Sequence, residues 1–457
     1  MSERVSIEHT PSKVGQTVTI MGWVHARRDH GKIIFIDLRD RSGILQTVAL
    51  AKNEDLFAVV STLRAEFVVA LTGEIKSRSE NQITTTTSTG GVEMLITAIE
   101  VLNESETPVF EIEKAPETGE DLRMQYRYLD MRSDRMRNNI EMRHKVVSLI
   151  RNDLIEQKFW EIETPYLTKG TPEGAREFVV PARLQPGEHF VLPQSPQQFK
   201  QLLMVGGIEK YFQIARCFRD EDARGDRQAE FSQVDMEMSF VTGEEIMQLN
   251  EKLLIEIVTQ LYPEKRIQTL PFPRITYKDA MEQYGNDRPD LREDKDDPNL
   301  LAFCWVVDFP MFEKVDHKAH PENKAEWTFT HNPFSSPLPD QMELLRTKSD
   351  IESIISSQYD IVLNGYEIGG GSVRTHRAAD LKKTLEIIGH SDETIERDFG
   401  HILTAFTYGA PPHAGIAWGL ERLIMLLQNE KSIRDVMAFP KTGDSKDILM
   451  GAPSKLF

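Results

Sequence analysis

The chain has 457 residues, 28% charged and 40% hydrophobic, and 54 Lys and Arg against 72 Asp and Glu leave a formal charge of −18. That length supports about two to four domains, and the acidic balance excludes indiscriminate binding to nucleic acid or an anionic membrane, where attraction to phosphate dominates. The only cysteines, Cys217 and Cys304, are too far apart to suggest a disulfide framework or a zinc site, and no apolar run reaches a membrane-spanning length.

The first hundred residues alternate β-rich runs with turn signals, at 17–24, 33–38, 45–50, 67–75 and 94–101. A short helix is expected over 53–63, between the third and fourth runs. Five strands with a helix at that point predict a small closed barrel of the OB type. The local charge runs against the global sign here, with Arg27, Arg28, Lys32, Arg39 and Arg41 against Asp29, Asp37 and Asp40. The Thr run 84–87 reads as a solvated hairpin tip. From 103 to 120 the composition turns to Glu, Pro and Thr, which reads as a linker. The expected division is a barrel at 1–103, a linker at 104–121 and a second domain at 122–457.

In the second domain Ile140, Val147, Ile150 and Leu154 recur at helical spacing, followed by a strand at 159–164 that Pro165 ends. Later strands and helices follow in irregular order without a repeated βαβ unit. This predicts an α+β domain on an antiparallel sheet. The charged stretch 287–298 reads as a surface connection. A polar start, Met1 to Pro11, unlike a signal peptide, makes the cytoplasm the expected compartment.

Several segments hold residues suited to chemistry. Two strands, 211–218 and 230–240, flank the charged loop 219–228; in the second, Val234, Met236, Met238 and Phe240 share one face while Gln233, Asp235 and Glu237 share the other. The polar face lines either a cleft or solvent. Ser195-Pro196 starts a helix with Ser195 as cap, placing Phe199, Leu202 and Leu203 on an apolar stripe and Gln197 and Lys200 on the opposite face. That pair holds a small carboxylate and amine, or is a solvated helix face.

Asn364-Gly365 predicts a two-residue hairpin turn in which Leu363 opposes Tyr366 and Val362 opposes Glu367. Asp360 then becomes a diagonal neighbour of Glu367, and two such carboxylates suit Mg²⁺ shared with phosphates; an acidic hairpin open to solvent is the competing account. Gly369-Gly370-Gly371 permits close approach to a ligand, but a possible bulge leaves open whether Arg374 faces the same way. Gly419 leads into a helix carrying Leu420, Glu421 and Arg422, whose first turn offers N–H groups and a guanidinium to an anion.

Taken in order, these segments resemble the class II aminoacyl-tRNA synthetases, in particular aspartyl-tRNA synthetases of the bacterial type. The likeness rests on Glu163-Thr164-Pro165 as motif 1, Phe218-Arg219-Asp220-Glu221 through Phe231 as motif 2, and Gly419-Leu420-Glu421-Arg422 as motif 3. The resemblance implies L-aspartate binding by Glu173, Gln197, Lys200, Arg219, His331 and Arg374. It implies ATP binding by Arg219, Asp220, Glu221, Gln228, Glu367, Gly419, Leu420, Glu421 and Arg422, with Arg219 and Arg422 catalytic and Asp360 and Glu367 holding Mg²⁺. The implied reaction joins aspartate to tRNA(Asp) through an aspartyl-adenylate. A homodimer with Pro165 near its interface is likewise implied.

The barrel resembles the anticodon-binding domain of the same family. Phe35 would stack on a base, with Arg28 and Gln46 bonding to base edges; Phe35 as barrel core is the alternative. Two features depart from the usual bacterial pattern. The inserted domain that bacterial relatives carry is absent between 291 and 300, which leaves acceptor-arm contacts on that side open and every catalytic match intact. His30, in Arg27-Arg28-Asp29-His30-Gly31, stands where enzymes restricted to tRNA(Asp) carry Leu, and resembles the non-discriminating type that also charges tRNA(Asn); Asn81 is a second candidate for that region. The alternatives are a discriminating enzyme, an asparaginyl or lysyl relative, and a non-catalytic RNA-binding paralogue.

Overall fold

The computed structural model describes residues 4–85, 87–170, 175–318 and 325–455. They form two compact units, Met1–Gly119 with Tyr128–Arg137, and Glu120–Arg127 with Asn138–Phe457.

In the first unit five strands, β1 (Thr17–Asp29), β2 (Ile33–Asp40), β3 (Gly43–Leu50), β4 (Val68–Ser77) and β5 (Val92–Asn103), close in the order β1-β2-β3-β5-β4. Closure removes the unpaired edges that a small open sheet would present. The helix α1 (Glu54–Thr62) begins at Asn53, whose side chain accepts the Leu56 N–H. Alternation sorts β2 cleanly: Ile34, Ile36 and Leu38 join the barrel core, while the half-buried Phe35 and Asp37 lie on the outside. Phe35 is therefore not core. The stretch 104–119 is more ordered than its composition suggests, because Phe110, Ile112 and Ala115 are buried around a short 3-10 helix, Ile112–Glu117.

Helix α2 (Asp134–Glu156), which belongs to the second unit from Asn138 on, buries Val146, Ile150 and Leu154 there. The strand expected at 159–164 reduces to β6 (Trp160–Glu161), an edge strand pairing parallel with β7 (Lys210–Phe218). Then follow α3 (Gln197–Val205), β8 (Glu230–Ser239), α4 (Gly243–Leu261), β9 (Arg274–Thr276), β10 (Phe303–Val307), β11 (Gln358–Leu363), β12 (Tyr366–Val373), β13 (His413–Gly419) and α5 (Leu420–Leu427). The eight strands form one sheet in the order β9-β10-β11-β12-β13-β8-β7-β6. Its inner pairs are antiparallel and its two outermost pairs parallel. The fold class is α+β, as expected.

One face of this sheet is apolar. Val234, Met236, Ile361, Ile368, Ile416 and Trp418 pack with Leu253, Leu254 and Ile257 of α4 and Leu420, Leu423 and Ile424 of α5. Phe240, expected to continue the stripe of β8, lies past the strand end with φ at 60° and 67% exposed. The other face is polar, and it forms the floor of a cavity.

Candidate active site

The floor is built by strand register. Asp235 of β8 is opposite Ala417 of β13, Glu237 opposite Gly415 and Gln233 opposite Gly419; on the far side of β13, Ser372 is opposite Gly415 and Gly370 opposite Ala417. The central strand thus contributes almost no side-chain volume. A Cβ on Gly415 would lie 2.0 Å from Glu237 Oε2, so the close approach demands glycine. Above this floor lies a cavity of about 380 Å³.

The hairpin of β11 and β12 forms as expected, with Asn364 and Gly365 at φ 51° and 86° and with Leu363 opposite Tyr366 and Val362 opposite Glu367. Its register then shifts: Ile361 pairs with Gly369 and Asp360 with Gly370, leaving Ile368 as a bulge. Glu367 and Arg374 are an odd number of positions apart and would face opposite ways on a regular strand. The bulge puts both on the cavity wall, which resolves the orientation that the sequence left open.

Among the described residues the cavity is lined by Gln197, Lys200, Arg219, Glu221, Gln228, His331, Asp360, Glu367, Arg374, Gly419, Glu421 and Arg422, all anticipated from sequence. Glu173 lies outside the described residues. Two expected residues do not reach the cavity lining. Asp220 pairs with Arg176 at 2.9 Å, and the Leu420 side chain is fully buried in the core because α5 must bury its apolar face. Glu421 lines the cavity, but its oxygens are already engaged by the Ser232 N–H and by Arg143, each at 2.9 Å, so it braces β8 and α5. The face of α3 expected to be solvated or to hold a ligand is buried, with Gln197 7% and Lys200 2% exposed. Helix α3 starts one residue later than expected: Pro196 occupies the cap position, and the Ser195 hydroxyl accepts the Gln197 N–H at 3.0 Å.

At one end of the cavity two cations are held rigidly. Lys200 Nζ donates to Asp235 Oδ1 at 2.6 Å and lies 3.3 Å from Glu237 Oε2. Arg374 donates from Nε to Glu237 Oε1 at 3.0 Å and from its terminal nitrogens to Glu237 Oε2 at 3.3 Å and Ser372 Oγ at 2.8 Å. A guanidinium has five N–H groups in a planar fork, so two remain uncommitted. Burial alone would raise the Glu237 pKa, but Arg374 and Lys200 outweigh it and hold the carboxyl below its ordinary value. For Asp235 burial wins over Lys200 and raises the pKa. Buried polar atoms without a hydrogen-bond partner among the described residues include Asp235 Oδ2, Gln197 Nε2 and Arg219 Nε. The Arg219 guanidinium sits 5.2 Å from the Phe231 ring centroid, which fixes its plane.

At the other end lie carboxylates. Asp360 accepts from Gln358 Nε2 at 2.7 Å and lies 3.2 Å from His331 Nε2. His331, expected to touch the amino acid, is thus committed to Asp360; burial lowers its pKa, but Asp360 and Glu367 outweigh that and raise it. The Glu367 side chain faces the open cavity, yet the enclosing protein and Asp360 raise its pKa against Arg422 and His331. Arg422 donates to the Glu367 backbone carbonyl and to Asp226 Oδ2 at 3.1 Å. Sequence reasoning left the Asp235 face lining either a cleft or solvent and gave the residue no role, and it missed Gln358 and Asp226. The spacing of Gln358 and Asp360 on one strand was the available signal.

In the barrel, Arg28 makes a bidentate pair with Asp37 at 2.6 and 2.9 Å and reaches Gln46 at 3.5 Å, and Gln46 donates to Glu93 at 3.0 Å. The His30 ring meets Phe35 edge-on, with centroids 5.6 Å apart. Arg28, His30, Phe35 and Gln46 share one outer patch, while the exposed Asn81 lies in the β4–β5 connection.

The chain that builds this floor matches a known class. Residues 119–443 match the tRNA synthetases class II (D, K and N), and residues 18–102 match the OB-fold nucleic acid binding domain. The chain therefore belongs to the class II tRNA synthetases of the D, K and N group. An aspartate–tRNA(Asp/Asn) ligase of Rubrobacter xylanophilus is 40% identical over 97% of this chain and 93% of its own. An aspartate–tRNA ligase of Macrococcus caseolyticus is 37% identical over 98% and 95%. The first of these alignments runs over 566 positions, more than the 457 residues present here, so that relative holds sequence without a counterpart in this chain. In fold, asparaginyl-tRNA synthetase from Pyrococcus horikoshii, solved with asparaginyl-adenylate, superposes with a TM-score of 0.77 at 23% identity, covering 97% of this chain and 99% of that one.

Proposed function

We propose that this chain ligates L-aspartate to tRNA in two steps, both at the cavity described. The aspartate α-carboxylate attacks the α-phosphorus of ATP, forming the aspartyl-adenylate as the bond to pyrophosphate breaks. A terminal ribose hydroxyl of tRNA then takes the aspartyl group and AMP leaves. The observation that carries this reading is the cation pair. The uncommitted N–H groups of Arg374 and Lys200 fit a side-chain carboxylate, whereas an amide would set its own NH₂ against them and leave buried donors unmatched.

Asp235 Oδ2 supplies an acceptor for the substrate ammonium, alongside Glu173. Arg219, with its free Nε, bridges the reacting carboxylate and the α-phosphate, and Arg422 binds the remaining phosphates. Fixed charges of this kind act by holding geometry and stabilising developing charge, without reorganising at the moment of reaction. Asp360 and Glu367 are hard oxygen donors with excess negative charge on the cavity wall, so they fit Mg²⁺. Among the described residues no third protein ligand is grouped with them, which suits an ion completed by phosphate and water. When bound, Mg²⁺ neutralises phosphate charge and draws electron density from phosphorus. Aspartate-dependent exchange of pyrophosphate into ATP tests the reading; equal exchange with asparagine or lysine overturns it.

Residues 1–103 serve as the anticodon-binding domain and 122–457 as the catalytic domain, joined by 104–121. The RNA substrates are tRNA(Asp) and tRNA(Asn), supported by His30 against Phe35 and by the several Asp/Asn-type relatives. Charging of separate tRNA(Asp) and tRNA(Asn) transcripts, with His30→Leu alongside, tests this; charging of tRNA(Asp) alone returns the discriminating reading. The active species is a homodimer. Ile155, Trp160, Tyr166 and Leu167, flanking Pro165, are 53%, 62%, 46% and 53% exposed, a density of apolar surface that suits an interface. Sedimentation should give about twice 52.3 kDa; a fully active monomer overturns it. The cytoplasm completes the reading, in keeping with two buried free cysteines and, among the described residues, no helix long and apolar enough to cross a membrane.

A further inference from the structure

The charged stretch 287–298 is pinned to the second unit rather than loose. Pro289 is buried, and Leu291 packs beside Cys304, Val306 and Phe309. The Gln268 amide ties the chain twice, donating to the Leu291 carbonyl at 3.0 Å and accepting the Glu293 N–H at 2.9 Å. Asn286 fixes the turn before it, donating to the Tyr284 carbonyl at 2.9 Å and accepting the Arg288 N–H at 3.0 Å. Between this stretch and the tip of the β11–β12 hairpin lies a second cavity of about 380 Å³, lined by Tyr284, Asn286, Arg288, Asp290, Lys295 and Gly365.

The charge inside this notch is opposite to that of the stretch around it. Asp287, Glu293, Asp294, Asp296 and Asp297 do not line it, and Arg292 covers Asp290 with two side-chain bonds at 2.7 and 3.0 Å. Arg288 and Lys295 are both exposed, and among the described residues neither side chain has a hydrogen bond or ion pair. Beside them Tyr284, 42% exposed, ends the helix Tyr277–Tyr284, which Gly285 terminates at φ 72°. Two uncommitted cations and an open ring on a fixed turn suit a nucleotide of a nucleic acid: the cations take phosphate oxygens and the ring takes a base.

Position selects the nucleic acid. The stretch abuts the hairpin tip, where a Cβ on Gly365 would lie 3.3 Å from the Asp290 Cβ. Glu367, on the wall of the catalytic cavity, is two residues farther along β12, about 7 Å at strand spacing. Under the proposed function the polymeric anion that must reach that wall is tRNA, by its 3′ end. We propose that Arg288, Lys295 and Tyr284 form a contact for the acceptor arm of tRNA, with the two cations on its phosphates and the ring against an unpaired nucleotide. The inference rests on the function proposed above and gives the catalytic unit an RNA-binding surface of its own, in addition to the barrel patch.

The test uses the full-length protein and its Arg288→Gln, Lys295→Gln, double and Tyr284→Ala variants, with thermal melting to confirm folding. Filter binding of a tRNA(Asp) transcript is recorded from about 50 to about 200 mM salt. Each phosphate contact adds about 0.7 to 0.9 to the slope of log affinity against log salt. Each Gln substitution should therefore flatten that slope by about 1, and the double variant by about twice as much while weakening binding roughly tenfold at the lowest salt. Tyr284→Ala should weaken binding about fivefold or more with the slope unchanged, since stacking releases no counterions. An isolated anticodon stem–loop should bind every variant alike, and aspartate-dependent pyrophosphate exchange without tRNA should keep its rate and its KM for ATP.

An unchanged slope in the double variant overturns the proposal; if the double variant melts early, an unchanged slope in both single variants does the same. An equal loss with the stem–loop overturns it too, because a diffuse field would give that result. So does a raised KM for ATP, which would make the notch a site for free nucleotide. Exchange by the unsubstituted protein tests the proposed function separately: its absence overturns that reading, whereas the salt slope reports on the notch alone.

Discussion

The barrel patch and the sheet floor both present arginines paired with carboxylates, yet the pairs live in different media. Arg28 and Asp37 meet on an outer surface, with the Arg28 side chain 45% exposed, while Arg374 and Glu237 are 3% and 0% exposed. Water screens the first pair and lets either partner be traded for a contact with RNA. The second pair has no such exchange open to it, since separating buried charges leaves one of them unsolvated. Under the proposed function, the barrel pair is one that RNA can rearrange, and the floor is one to which its ligand must conform.

The sharpest way to break this contrast is Arg374→Leu. It should abolish aspartate-dependent pyrophosphate exchange and, by stranding Glu237, cost about 3–5 kcal/mol of stability in denaturant unfolding; retention of both would refute the account of the floor. Next in size is Glu367→Gln. Losing one charge from the carboxylate end should slow exchange by about two orders of magnitude, the equivalent of roughly 3 kcal/mol, while filter binding of tRNA stays unchanged. Phe35→Ala probes the outer patch. A stacked base is worth about 1–3 kcal/mol, so tRNA affinity should fall roughly tenfold or more while aspartate-dependent exchange in the absence of tRNA is untouched.

The smallest effect concerns pH. Because its neighbours hold the Glu237 pKa below its ordinary value of 4.5, the carboxylate contributes stability above about that pH and loses it as pH falls through the depressed folded value. Melting temperatures recorded from pH 6 downward should therefore drop less steeply in Glu237→Gln than in the unsubstituted protein. Parallel curves would contradict the assigned direction.

The barrel was legible in the sequence because its strands have one wet face. Ile34, Phe35, Ile36 and Asp37 alternate inside and out, and periodicity of two is visible without knowing the fold. The floor was only partly legible. Strand β8 is buried on both faces, so alternation showed that Gln233, Asp235 and Glu237 share a side but not that the side is enclosed. The bulge at Ile368 has no local signature, since glycines permit it without requiring it, and it alone decides that Arg374 faces Glu367. Gln358 and Ser372 were legible only in part: Asp360 and Arg374 each stand two positions along the chain from them, but Ser335, which both meet, comes from a separate segment that only the fold brings near. Leu420 was misplaced because proximity to a motif in sequence says nothing about which face of α5 a residue occupies.

The middle strand of the floor has a consequence for redesign. Gly415 and Gly419 have no side chain to trim and Ala417 only one methyl, so the pocket cannot be deepened from below by substitution. Nor can it be filled from below at Gly415, since any larger residue there collides with the carboxylate of Glu237 and the carbonyl of Met236. Selectivity among amino acids of similar size must therefore be rewritten on the walls, by changing the sign and number of charges that α3, β8 and β12 present. A scaffold of this kind evolves new preferences electrically, with its dimensions held constant.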